Sequence, residues 1–228
     1  MRFAVSKVQG VVFDSASRRL SRGRRAVCGL ALAVLGLTGL AATAEAQTLA
    51  SLPSDVGARV QGDAKPIAAW VTFCQSYAAE CAVDRTEPAR ISLTPATWAT
   101  IVSVNRRVNK AVEPMTDQDH LHVADRWDLA EDGIGDCEDY QLLKRHLLAE
   151  AGLPRRAMRM TVVIDEKGEG HAVLTLITDR GDLVLDNKTD TILPWHRTGY
   201  VFIKRESQDV QAWVSLGGAT SPVTTANR

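Results

Sequence analysis

The sequence has no excess of positive charge. Its 228 residues include 27 lysines and arginines and 27 aspartates and glutamates, so the formal net charge is zero. Proteins that bind nucleic acids usually carry clustered Lys and Arg on one face. The charge balance therefore gives no support for a nucleic-acid partner, and we expect none.

The sequence also lacks an apolar run long enough for a membrane-spanning helix, which needs roughly 20 residues. Residues 26–40 are apolar, follow a basic flank at 18–25 and precede two A-x-A patterns at 42–44 and 44–46. That order is typical of a secretory signal peptide. We expect residues 1–46 to be a cleaved signal peptide and the protein to be periplasmic or secreted. The alternative is a single membrane anchor.

The part that remains after cleavage has the length of one domain. Residues 47–228 number 182 and carry 20 basic and 25 acidic side chains, a net charge of −5. That length suffices for a substantial hydrophobic core. We predict one domain over residues 47–216 and a disordered tail over 217–228, which is rich in Ser, Thr, Pro and Asn.

The chain has four cysteines, and their positions in the sequence indicate different roles. Of the four in the chain, Cys28 would leave with the signal peptide. Cys74 and Cys81 are close in sequence, and an oxidising compartment permits a disulfide between them. Cys137 is left over. An odd cysteine in an exported protein either pairs with another chain or is a free, reactive thiol.

The first half of the domain reads as helical. Residues 67–71 open one segment, and a second starts at Thr94 and Pro95, which suit the N-cap and first helical positions. The polar stretch 113–135 is predicted to be irregular, with Trp127 as its buried anchor. A third helix is predicted from Asp136, with one buried face formed by Tyr140, Leu143, Leu147 and Ala151.

After residue 154 the apolar pattern changes to a period of two, typical of strands. Short turn-forming connections favour antiparallel pairing, including a four-residue loop at 179–182. The predicted strands are 158–164, 171–178, 183–186 and 199–204. The predicted fold class is therefore α+β, with a helical N-terminal part followed by an antiparallel sheet.

Cys137 is predicted to lie in the first turn of the third helix, after a loop that contains Gly133 and Gly135. Free backbone N–H groups and the positive end of the helix dipole favour a thiolate there and lower the thiol pKa. The same N–H groups can stabilise an oxyanion. The adjacent carboxylates of Asp136, Glu138 and Asp139 oppose this effect. They either cap the helix or bind a cation, for which calcium suits hard oxygen ligands.

A thiolate needs a general base and a group that orients the base. His171 opens a predicted strand, and Asp186 ends the next one. An even-length loop between the strands would place both on one face, although a four-residue loop would leave them offset. A Cys at a helix start followed by His and Asp on successive strands is a recurring arrangement in thiol catalysis.

A second acidic group precedes the third helix. His120 and His122, with Asp117, Asp119 and Asp125 nearby, have the residue types of a metal site. We favour a solvated polar loop over a metal site at these positions.

Three segments, 135–140, 170–174 and 184–187, resemble the bacterial transglutaminase-like cysteine proteinases. The resemblance implies a papain-like core and a triad in which Cys137 is the nucleophile, His171 the general base and Asp186 its orienting group. It also implies calcium bound through Asp136 and Glu138. No organic cofactor is expected.

The same resemblance implies a protein or peptide substrate. Members of this family trim adhesins from the cell surface under the control of an inner-membrane receptor for cyclic di-GMP, so such a receptor is the implied partner. Two alternatives use the same residues. One is amide transfer to an amine, and the other is a calcium-dependent binding module whose triad is catalytically silent.

Overall fold

The computed structural model describes residues 57–220. They belong to one of the two units into which the chain divides, Glu45–Arg228. The predicted signal peptide and residues 221–228 lie outside the described part. None of the described helices is long and apolar enough to cross a membrane.

Five helices precede or flank the strands, and the predicted helix starts are confirmed. The Thr94 hydroxyl accepts a hydrogen bond from Thr97 N at 3.1 Å, with Pro95 at the first helical position. This side-chain cap satisfies one of the free N–H groups of the first turn. The helices are α1 (Ala68–Ser76), α2 (Ala78–Cys81), α3 (Pro95–Ala111), α4 (Asp117–His120) and α5 (Cys137–Glu150).

The predicted buried face of α5 is partly wrong. Tyr140 is buried, but Leu143 and Leu147 are half-buried and Ala151 is exposed. The reason is that α5 packs between α3 and the sheet, so its most buried positions include charged residues. Leu142, Lys144, Arg145 and Leu148 are all fully buried. Apolar periodicity could not show a face that includes a lysine and an arginine.

A seven-stranded antiparallel sheet forms the second half of the domain, in the order β1-β9-β8-β4-β5-β6-β7. The small strands β2 and β3 pair in parallel beside α5. The prediction missed β1, β7 and β9, and it also missed β2 and β3, which lie in the stretch 113–135 that was predicted to be irregular. The strands are β1 (Gly62–Ala64), β2 (Glu113–Pro114), β3 (Ile134–Gly135), β4 (Met158–Ile164), β5 (Gly170–Thr178), β6 (Gly181–Leu185), β7 (Leu193–Pro194), β8 (Val201–Glu206) and β9 (Trp213–Thr220).

Strand β9 continues past the predicted domain end at residue 216. Gly217 and Gly218 have φ of 72° and 67°, which is the left-handed region that favours glycine. They accompany a register shift in the pairing of β8 with β9, so the strand bends but does not end there. Residues 217–220 are therefore part of the sheet, which corrects their assignment to a disordered tail.

The β5–β6 hairpin determines how His171 meets Asp186. Thr178 pairs with Gly181, so the loop has two residues and not the predicted four. Leu174 pairs with Leu185, and continuing this register places Asp186 opposite Val173, two residues from His171 on the same face. The two side chains therefore meet diagonally, a separation that long side chains can bridge.

The two faces of the sheet have separate cores. Ala172, Leu174 and Leu176 of β5 join the large core formed with the helices. The alternate residue Val173 joins a smaller cluster on the opposite face, together with Tyr200. His171 pairs with Val163 of that smaller cluster, so the imidazole lies where β5 begins, at the edge of the smaller core.

Candidate active site

Cys137 is the first residue of α5, and Asp136 separates it from the end of β3. Gly135 permits the close approach of the chain there, because a Cβ at this position would lie 2.8 Å from Asp139 Cβ. The Asp139 carboxylate accepts hydrogen bonds from Asp128 N at 2.8 Å and Asp136 N at 3.2 Å. Of the three acidic residues beside the thiol, Asp139 thus stabilises the helix start.

Two polar groups contact the thiol. Cys137 Sγ donates to Glu138 Oε2 at 3.1 Å and accepts from Ala172 N at 3.4 Å. Ala172 directly follows His171, so the backbone of β5 reaches the thiol one residue after the proposed base. Among the described residues, no hydrogen bond joins Sγ to the His171 ring, whose Nε2 contacts Asp186.

The pKa of the Cys137 thiol is raised. The helix dipole predicted a lowered pKa, so that prediction is wrong. Burial is the largest cause, followed by the charge of Glu138 and its hydrogen bond to the thiol. Ala172 N acts in the opposite direction but is weaker. A thiolate at this position is therefore opposed first by burial and then by the Glu138 carboxyl.

His171 and Asp186 form a buried pair. His171 Nε2 lies 2.9 Å from Asp186 Oδ1, and both side chains are almost fully buried. Burial raises the pKa of Asp186, but the hydrogen bond and charge of His171 outweigh it, and the net pKa is lowered. The carboxylate therefore stays ionised and fixes the orientation of the imidazole.

Tyr200 is a site residue that sequence reasoning did not assign. Its hydroxyl donates to Asp186 Oδ2 at 2.6 Å, and its ring meets the His171 ring edge-on with centroids 5.8 Å apart. Lys188 N donates to Asp186 Oδ1 at 3.1 Å. Tyr200 directly precedes β8 and lies two residues before the buried Phe202. This period-two spacing is the sequence feature that could have predicted Tyr200 to be buried on the same face as Phe202.

An acidic cluster adjoins the thiol. Carboxylate oxygens of Asp117, Asp125 and Glu138 lie within 4.8 Å of one another, and Asp136 and Glu138 form a similar group with Cys137. Burial is the largest cause that raises the pKa of Glu138 and of Asp136, with the interaction between the two carboxyls next for Glu138. Asp136 Oδ1 is buried without a hydrogen-bond partner.

The structure separates the residues of the second predicted acidic group. Asp117 and Asp125 reach Glu138. His120 instead pairs with Asp132 at 3.1 Å, and Asp119 accepts a hydrogen bond from the Thr116 hydroxyl. The segment from α4 to α5 therefore places the carboxylates of Asp117 and Asp125 near Glu138. His120 of the same segment contacts Asp132 and is not part of this cluster.

The other two cysteines of the described residues connect α1 to α2. Cys74 and Cys81 are bonded through their sulfurs, with Cα atoms 5.5 Å apart. Cys137 is the free cysteine of the described residues.

The model of the bacterial transglutaminase-like cysteine proteinases matches residues 60–221, which include every site residue described above. The chain belongs to this family. It is therefore a cysteine peptidase with a transglutaminase-like fold, which confirms the predicted family, fold class and enzyme class. A comparison with curated proteins gives no match.

Three solved structures of LapG from Legionella pneumophila are similar to this cysteine peptidase. The calcium-bound form has a TM-score of 0.46 at 23% identity and covers 55% of this chain and 73% of LapG. A second LapG structure has a TM-score of 0.45 at 23% identity, with coverages of 56% and 71%. The EGTA-treated form has a TM-score of 0.41 at 24% identity, with coverages of 47% and 62%.

Proposed function

We propose that this cysteine peptidase is an exported protease that hydrolyses peptide bonds through Cys137, His171 and Asp186. The observation that supports it most strongly is the buried His171–Asp186 pair at 2.9 Å, one residue from the N–H group that contacts the thiol. A thiol, a base and a group that orients the base are the parts that nucleophilic catalysis requires. Here they come from a helix start and two adjacent strands.

In the proposed reaction, His171 Nδ1 accepts the thiol proton, since Nε2 is held by Asp186. The Cys137 thiolate attacks the peptide carbonyl carbon, and N–H groups at the start of α5 stabilise the oxyanion. The imidazolium then protonates the leaving amine as the C–N bond breaks, which leaves an acyl-enzyme. His171 next takes a proton from water as the water oxygen attacks the thioester carbonyl carbon. The C–S bond then breaks, the acid leaves, and the imidazolium returns its proton to the Cys137 sulfur.

We infer that Asp136 and Glu138 hold calcium, with Asp117 and Asp125 as further ligands. The unpartnered buried Asp136 Oδ1 and the carboxylate oxygens of Asp117 and Asp125 near Glu138 fit a hard cation. When bound, the cation supplies positive charge that offsets Glu138 beside the thiol. A Glu138 carboxylate that binds the cation no longer accepts the thiol proton, and this proton can then pass to His171.

We further propose that the enzyme acts in the periplasm or outside the cell. The apolar run that precedes two A-x-A patterns supports export, and the Cys74–Cys81 bond is compatible with an oxidising compartment. Its substrate would be a protein or peptide of that compartment. The family resemblance of the sequence supports an inner-membrane receptor for cyclic di-GMP as a regulatory partner.

A comparison of exported proteins in cells that carry wild-type enzyme or Cys137→Ala tests the function. Wild-type cells should show new protein N-termini that are missing with Cys137→Ala. Hydrolysis leaves a free carboxylate on the upstream fragment, whereas amide transfer would leave an amine linked there. Identical sets of N-termini in both strains would contradict the proposed protease.

A further inference from the structure

Lys144 is a buried lysine that the proposed reaction does not use. It lies two helical turns after Cys137 and thus on the same side of α5. Its side chain is fully buried, and Nζ donates to the main-chain oxygen of Asp186 at 2.9 Å. Burying an ammonium group is costly unless it is paired, so a buried lysine at this position needs an explanation.

Gln141 lies between Cys137 and Lys144 on α5 and contacts the same segment. With its amide oriented to suit both neighbours, it donates to Leu185 O at 3.1 Å and accepts from Asn187 N at 3.3 Å. Asn109 of α3 also donates to Asp186 O, at 3.0 Å. Side chains of two helices therefore hold the backbone on each side of Asp186.

This support is needed because β6 ends at Leu185. The Asp186 carbonyl lies past the last paired residue of the strand, and a buried carbonyl without a donor is unfavourable. The side chain of the same residue must meet His171 diagonally, a geometry that a small backbone shift would break. The helix that carries the nucleophile thus also fixes the backbone of the orienting residue.

We propose that Lys144 is a positioning residue for catalysis, acting through the Asp186 main chain to keep the Asp186 carboxylate on His171. This inference rests on the proposed function of the triad. A lysine that only filled the core would affect stability alone. A positioning lysine also affects the reactivity of Cys137, and that effect depends on the Asp186 carboxylate.

The test measures the rate of Cys137 alkylation by iodoacetamide in the full chain at neutral pH with calcium. Lys144→Met keeps an unbranched apolar side chain and removes the ammonium group, which leaves Asn109 as the remaining side-chain donor to Asp186 O. It should slow alkylation about tenfold, since small misplacements of catalytic groups cost rate. The matched control is Arg145→Met. Arg145 is equally buried on the same helix but pairs with Glu206, so the folded variant should react at the wild-type rate.

A double-mutant cycle separates positioning from packing. In an Asp186→Asn background, Lys144→Met should cause no further loss of rate, because the two changes act on one interaction. Lys144→Gln is polar but too short to reach Asp186 O, so it should be as slow as Lys144→Met and replaces it if that variant does not fold. Wild-type reactivity of either variant, or losses that add in the Asp186→Asn background, would overturn the inference.

The same assay distinguishes the two claims. If wild-type Cys137 reacts no faster than in His171→Ala, the proposed triad and the role of Lys144 fail together. If His171→Ala is slow but Lys144→Met and Lys144→Gln react like the wild type, only the role of Lys144 fails.

Discussion

The Tyr200 hydroxyl lies 2.6 Å from Asp186 Oδ2, the carboxylate oxygen that His171 does not contact. Both oxygens of Asp186 are therefore occupied by donors. This arrangement holds the Asp186 carboxylate in place beside the His171 ring. The two hydrogen bonds also account in part for the lowered pKa of Asp186.

Tyr200→Phe should retain the ring contact with His171 and lose the hydrogen bond to Asp186. Leaving a buried carboxylate oxygen without its donor should cost about 1–3 kcal/mol of unfolding free energy at neutral pH. The lowered pKa of Asp186 stabilises the fold above the unfolded pKa of about 4, and this stabilisation is lost as pH falls through the folded value. Without the Tyr200 donor, acid unfolding should begin at a higher pH. Circular dichroism during acid titration measures the midpoint.

Tyr77→Phe is the control, because it removes a hydroxyl from a tyrosine that stacks on Phe73 and does not contact Asp186. Its acid midpoint should match the wild type. An unchanged midpoint in Tyr200→Phe would contradict the role given to that hydroxyl.

Calcium should raise the melting temperature of the protein. At a concentration about one hundred times the dissociation constant, binding contributes about 3 kcal/mol, which corresponds to about 5–10 °C for a domain of this size. Asp136→Asn and Glu138→Gln should each remove most of this shift. Differential scanning fluorimetry in calcium and in EGTA measures it. Glu131→Gln, at an exposed acidic position outside the cluster, should respond like the wild type.

In EGTA, stability should fall as pH rises from about 5 to about 8. Burial raises the pKa of Asp139 to about 8. The charges of Asp128 and Asp136 act in the same direction, while the backbone N–H groups of these residues, which donate to Asp139, act against it. The folded carboxyl therefore binds a proton that the unfolded chain releases, and this stabilisation is present at low pH and lost as pH rises through the folded value. Asp139→Asn should flatten the dependence of melting temperature on pH. A melting temperature that rises over this range in the wild type would contradict the prediction.

The Cys74–Cys81 bond should stabilise the helical side of the domain. Glu80, beside Cys81, is hydrogen-bonded to His146 of α5 at 2.8 Å, so the loop closed by the disulfide contacts the helix that carries Cys137. The double variant Cys74→Ser with Cys81→Ser should lose about 2 kcal/mol of unfolding free energy, the amount expected for a short loop. Guanidinium unfolding measures the loss. A reductant should destabilise the wild type and leave the double variant unchanged.

Residues with strong local signals were predictable from the sequence. The Thr94–Pro95 pair marked the start of α3, and alternating β-branched residues marked β4 and most of β5, β6 and β8. The prediction that Cys137 opens a helix is also confirmed. Parity placed His171 and Asp186 on one face because the loop length is even, whether it has two residues or four.

Features that depend on tertiary contacts were not predictable. The buried face of α5 includes Lys144 and Arg145. Their partners are distant in sequence: Asp186, which follows β6, and Glu206 of β8. The raised pKa of Cys137 follows from burial and from the rotamer of Glu138, and the helix dipole alone predicts the opposite direction. The meeting of Asp117 and Asp125 with Glu138 likewise requires the fold of the preceding loop.

The most direct test of the triad is the rate at which iodoacetamide alkylates Cys137 below the ordinary thiol pKa, in calcium. With His171 present, the thiol proton has an acceptor, so the wild type should react about tenfold faster or more than His171→Ala at slightly acid pH. Mass spectrometry of the labelled peptide identifies the site. Equal rates in the two proteins would show that the imidazole does not activate the thiol, and would contradict the account.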